Sequence, residues 1–118
     1  MNRITAFIAL LLIVCAVQPA GSSDKKLDEF AKCLTKKKAV MYGSFTCSHC
    51  ADQKDLFGES FQYVTYVECM VPATHRETDQ CKAAGIKYTP TWIFGDGSRV
   101  VGKVPLEKLS EETGCKLP

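Results

Sequence analysis

Two cysteines two residues apart, Cys47 and Cys50 in Thr46-Cys47-Ser48-His49-Cys50, are the side chains with the clearest capacity for chemistry. They follow an apolar run, Ala39 to Phe45, and open a polar segment that ends at Leu56-Phe57-Gly58. A buried strand followed by a helix puts Cys47 at a helix amino end, where unpaired amides and the positive end of the dipole stabilise a thiolate. Cys50 lies about one turn further on, shielded by the helix, and suits the role of resolving a mixed disulfide formed on Cys47. Ser48 and His49 stand inside the pair. An imidazolium at His49 would favour the Cys47 thiolate and make the disulfide a better oxidant, whereas a His49 pointing into solvent would do neither. The same cysteine spacing also serves half a zinc site or an inert bridge. Cys47, His49, Cys50, Cys69, His75 and Cys81 hold enough donors for zinc, but structural zinc sites recruit a second closely spaced pair, and Cys69 and Cys81 are far apart. No metal and no other cofactor is assigned, and His75 reads as a polar loop or helix-start residue.

Thiol chemistry depends on compartment, and the amino end bears on it. Ile4 to Val17 is free of charge and shorter than the about 20 residues a bilayer requires. With Arg3 before it and small residues around Val14-Cys15-Ala16 and Ala20-Gly21-Ser22, it reads as a signal peptide over residues 1–22, leaving one domain over 23–118. Loss of Cys15 leaves six cysteines, Cys33, Cys47, Cys50, Cys69, Cys81 and Cys115, an even number in a chain bound for an oxidising compartment. Cys15 as a lipid-modified anchor is the lesser alternative, since Val14 stands where a small residue is wanted. The terminal Lys116-Leu117-Pro118 carries no lumenal retention signal, which favours a periplasm over a secretory lumen. Fifteen basic against thirteen acidic residues give +2, too balanced for nucleic-acid binding through a basic face. With 46% hydrophobic residues the chain can fill a single small core.

The elements that position the cysteine pair follow from periodicity. Leu27, Phe30, Ala31 and Leu34 share a helical face, with Ser23 or Asp24 as the cap and Lys36-Lys37-Lys38 at the carboxyl end. Ala39 to Phe45 is a central strand, and Phe61 to Cys69, rich in β-branched and aromatic residues, is a second strand parallel to it across the cysteine-bearing helix. Thr74-His75-Arg76-Glu77 matches a capping box and predicts a helix to Ala84, stopped by Gly85. Thr91 to Phe94 and Ser98 to Gly102 flank an Asp96-Gly97 turn, an antiparallel hairpin. Pro105 opens a last helix with Leu106 and Leu109 on one face and Gly114 at its close. The expected fold class is α/β, a mixed sheet of about four strands flanked by helices.

Strand, Phe45-Thr46-Cys47-Ser48-His49-Cys50, helix, strand, helix, Tyr88-Thr89-Pro90-Thr91, hairpin, helix resembles the thioredoxin superfamily over nearly the whole of residues 23–118. Met41-Tyr42-Gly43, Gln53 to Gly58, Tyr66-Val67-Glu68-Cys69, Cys81 to Ile86 and Pro90-Thr91-Trp92 are most similar to the thioredoxin-like domain fused to bacterial vitamin K epoxide reductase homologues. The resemblance implies that Cys47 and Cys50 are the catalytic pair, that Pro90 is a cis-proline, and that the backbone of Thr89 offers pairing to an extended substrate segment. It also implies a Cys69–Cys81 bridge, as a staple or a second redox pair. Cys33 and Cys115 then remain, and their simplest pairing joins the two ends of the domain. Thr46 stands where many relatives have tryptophan, Ser48 where dithiol oxidases commonly have proline, and Met41 where reductants keep a buried acid. The lack of that acid at Met41, with His49 inside the motif, favours oxidation or isomerisation of protein disulfides by an exported monomer, and the resemblance implies a vitamin K epoxide reductase-like membrane protein as reoxidant. A disulfide reductase kept reduced by a membrane donor, or a binding module with inert cysteines, are the alternatives.

Overall fold

The structure is a computed structural model that describes residues 22–118. The expectations for a signal peptide and for Cys15 fall outside the described residues. Four helices and four strands follow in chain order: α1 (Ser22–Lys36), β1 (Val40–Gly43), α2 (Ser48–Asp55), β2 (Thr65–Glu68), α3 (Asp79–Ala84), β3 (Thr91–Ile93), β4 (Arg99–Val101) and α4 (Leu106–Thr113), with a 3-10 segment at Gly58–Tyr63. Helix α1 thus begins at Ser22, ahead of the Ser23 and Asp24 expected as caps.

The strands form one sheet in the order β2-β1-β3-β4. β1 runs parallel to β2, with Gly43 opposite Glu68, and antiparallel to β3, which forms the antiparallel hairpin with β4. Alternation along these strands decides the layers. Met41 and Trp92 face a core shared with Phe30 and Leu34 of α1, Cys50 of α2 and Leu109 of α4. Tyr42, Val67 and Ile93 face the other way, against Cys81 of α3. A mixed four-stranded sheet covered by helices on both faces is the thioredoxin-like architecture that the sequence predicts.

Three expectations are corrected. The second strand does not begin at Phe61: Gly58 turns the chain at φ +54° into the 3-10 segment, and only Thr65–Glu68 pairs with β1. The aromatic character of Phe61 serves packing there, since its ring lies 5.9 Å from that of Phe57 and 5.8 Å from that of Tyr66. The helix expected from Thr74 begins at Asp79, and its cap is Thr78, whose hydroxyl accepts the Cys81 amide at 3.4 Å. Residues 71–76 instead close a turn through Val71 N–H to Arg76 C=O, with Met70 bridged to Glu77 and His75 at φ +55°. A left-handed residue at the second position of the supposed capping box is incompatible with a helix there. Pro105 stands one residue before α4, as its cap, and Leu106 is the first helical residue.

Among the described residues two disulfides are formed. Cys33 of α1 is bonded to Cys115 just past α4, and Cys69 after β2 to Cys81 of α3.

Candidate active site

A four-residue loop between β1 and α2 sets the position of the free cysteines. Cys47 N–H donates to the Ser44 carbonyl at 3.1 Å, and the Ser44 and Thr46 hydroxyls lie 2.9 Å apart, so the turn satisfies itself. Phe45 N–H reaches across to the Glu68 carboxylate at 2.8 Å. The chain then enters α2 with Cys47 as its cap, extended at φ −94°, and the Cys47 sulfur accepts the Cys50 amide at 3.2 Å. The thiol of Cys47 points toward the Thr89 carbonyl, 3.5 Å away. Thr89–Pro90 is a cis peptide bond, with Pro90 fully buried.

Helix α2 is short, and a buried glutamine locks it to the sheet. Gln53 donates through Nε2 to the Val104 carbonyl at 2.9 Å, while its Oε1 accepts Val104 N–H at 2.7 Å and Trp92 Nε1–H at 3.2 Å. That side chain has no exposed surface, and all of its polar atoms are paired. The carboxyl half of α2 is therefore anchored to β3 and to the segment before α4.

The two thiols are pushed in opposite directions. Burial works against the Cys47 thiolate, but hydrogen bonds from the Cys50 and Thr89 side chains and from the Cys50 and His49 amides outweigh it, leaving its pKa below that of an ordinary thiol. Cys50 is fully buried, and burial together with its hydrogen bond to Cys47 lifts it to about 11. Of the two, Cys47 is the more readily ionised thiol and Cys50 the protected one. His49 and Ser48 are exposed, and what His49 brings to Cys47 among these contacts is its backbone amide.

Beside Cys47 opens a cavity of about 320 Å³, lined by Met70, His75, Glu77, Lys87 and Thr89 among others. Phe45, 49% exposed, stands at its rim with its ring edge-on to His75 at 5.6 Å, and Tyr88, 70% exposed, precedes Thr89. Sequence reasoning missed Met70 and Glu77 as site residues and weighed His75 beside the pair only as a metal donor. Only the 70–77 turn brings these three to Cys47, and no spacing in the chain signals it. Cys69 and Cys81 are spent on their own bridge, and among the described residues no three His, Cys, Asp or Glu side chains gather as a metal site.

No protein-family model matches the chain. It is 39% identical over 102 residues to the thiol-disulfide oxidoreductase LTO1 of Arabidopsis thaliana, an alignment covering 83% of this chain and 27% of the plant protein. The chain thus spans about a quarter of the length of that relative.

Proposed function

We propose that this chain is a thiol-disulfide oxidoreductase acting on protein thiols and disulfides through Cys47 and Cys50. The observation that carries the reading is the division of labour at the start of α2: an accessible sulfur with a depressed pKa, capped by helix amides, beside a buried thiol raised to about 11. The name of the plant relative supports the same activity. In the oxidising direction a substrate thiolate attacks Cys47 of the Cys47–Cys50 disulfide, and Cys50 departs with the electron pair and takes up a proton. A second substrate thiolate then attacks the substrate sulfur of the mixed disulfide, releasing Cys47 and an oxidised substrate. Stabilising the Cys47 thiolate favours the reduced form of the pair and so makes the disulfide the stronger oxidant.

The finer reading is that the domain is exported, works as a monomer in the periplasm, oxidises or isomerises disulfides, and is reoxidised by a vitamin K epoxide reductase-like membrane protein. It rests on the apolar amino-terminal run and on the resemblance of the motifs around the pair. Pairing of substrate backbone with Thr89, tuning by Ser48 and His49, and a staple role for Cys69–Cys81 belong to the same proposal.

Replacing Cys50 with serine tests it. The variant is expected to accumulate reducible adducts through Cys47 with protein thiols. A folded Cys50→Ser protein that captures no partner, with a wild-type chain inert in both insulin reduction and refolding of reduced ribonuclease, would overturn the reading and leave a binding scaffold.

A further inference from the structure

Cys50 must shed a proton before its sulfur can close a disulfide with Cys47, and water does not reach it. The fully buried thiol sits among Met41, Phe57 and Trp92, and the buried polar residues described are Ser44, Gln53, Ser60 and Thr91, none of them an acid or base. The ionisable groups that approach this sulfur from β2 are Tyr66 and, beyond it, Glu68. A methyl group built on Gly43 would lie 3.3 Å from the Cys50 sulfur and 3.1 Å from the Tyr66 hydroxyl, so both groups lie beside the same glycine. The Tyr66 hydroxyl donates to Oε2 of Glu68, and Oε1 of Glu68 accepts the Phe45 amide at 2.8 Å. Tyr66 and Glu68, two residues apart on β2, thus share a face, and the carboxylate is partly exposed.

We propose that Tyr66 and Glu68 form the proton path of Cys50, a deepening that rests on the oxidoreductase reading. When Cys47 carries a mixed disulfide, the Cys50 proton passes to the Tyr66 oxygen as the Tyr66 proton moves to Glu68. The freed electron pair on Cys50 bonds to the Cys47 sulfur, and the bond from Cys47 to the partner sulfur breaks, its electron pair leaving with the partner as a thiolate. In the opposite direction Glu68, reprotonated from solvent, returns the proton to the departing Cys50. Gly43 is required for this approach, because any side chain there would meet Tyr66 at 2.8 Å. Tyr66 itself stays protonated, since burial and the Glu68 carboxylate both hold its phenol above the ordinary range. The other charged or titratable groups facing it are Cys47 and the Lys54 ammonium of α2, the latter 4.1 Å from the ring centre.

The test uses the full-length chain with Cys15→Ser, its Cys47 and Cys50 reduced and both bridges intact, and 5,5′-dithiobis(2-nitrobenzoate). Attack by Cys47 releases one thionitrobenzoate, and closure by Cys50 releases the second, whose rate is followed against pH. Glu68→Gln keeps the size of the side chain and one acceptor oxygen, which the Phe45 amide can hold with the NH2 turned to the Tyr66 oxygen, but removes the base, and Tyr66→Phe keeps the ring. Each is expected to slow the second release at neutral pH by about a hundredfold, the low side of what positioned proton acceptors contribute. Each should rejoin the wild-type rate as pH approaches the value at which Cys50 ionises unaided. Wild-type rates in both variants at neutral pH, or an equal slowing at every pH, would overturn the proton path. A wild-type chain that releases only one thionitrobenzoate would overturn the oxidoreductase reading itself, and the path with it.

Discussion

Replacing Gln53 with leucine removes the clamp that holds the active-site helix, and its effect can be worked bond by bond. Three groups lose their partner: the Val104 carbonyl, the Val104 amide and the Trp92 indole N–H, at residues 2% and 0% exposed. Each orphaned buried group costs about 1–3 kcal/mol, partly offset because leucine has no amide to desolvate. Partial relaxation favours the low end, so the loss is expected at about 3–4 kcal/mol, a large part of the about 5–15 kcal/mol that holds a domain together. Urea unfolding of the disulfide-intact protein reads it, and Trp92, the one tryptophan of the chain, reports from inside the clamp. Circular dichroism should give the same midpoint as fluorescence. Gln53→Glu adds a signed test. A carboxyl in that buried place ionises less readily folded than unfolded, so the variant is least impaired below about pH 4. It loses up to about 1.4 kcal/mol per pH unit above that, until the folded carboxyl ionises. A Gln53→Leu loss under about 1 kcal/mol at unchanged m-value, or a Gln53→Glu variant insensitive to pH, would refute the clamp.

Four further outcomes are expected. Removing the Cys33–Cys115 bridge, whose partners stand 82 residues apart, should destabilise the domain by about 4.5 kcal/mol. Removing Cys69–Cys81, with a separation of 12, should cost about 3 kcal/mol, and double-alanine variants in denaturant titrations compare the two. Titration of thiolate absorbance should place Cys47 below an ordinary thiol, and Cys50→Ala, which keeps the amide but removes the thiol donor, should move it upward, so that less thiolate is present at any given pH. His49→Ala, which retains the amide, should make the couple more reducing against glutathione. An unchanged equilibrium would remove the His49 side chain from the tuning of Cys47.

The placement of the cysteine pair was legible in the chain because it is local. A cap position, a helix amino end and a two-residue spacing are fixed by neighbours, and they set Cys47 at the cap and a buried Cys50 within one turn of it. The α1 face, the Gly85 and Gly114 stops and the Asp96-Gly97 hairpin were legible for the same reason: each follows from periodicity or from one residue able to take an unusual backbone angle. Aromatic residues misled where packing overruled propensity, so that Phe61 went to the 3-10 segment. The capping-box pattern at Thr74 yielded to a turn that places His75 at φ +55°. What tertiary structure alone decided is everything that meets Cys47 and Cys50 from a distance. The Gln53 clamp, the cavity under Phe45, and the Tyr66–Glu68 pair at Gly43 join segments whose separation in the chain carries no periodic signal. Sequence specifies such contacts only through the sum of the packing, once β1, β2 and β3 lie side by side and their alternation sends Met41 and Tyr66 to one face and Tyr42 and Val67 to the other.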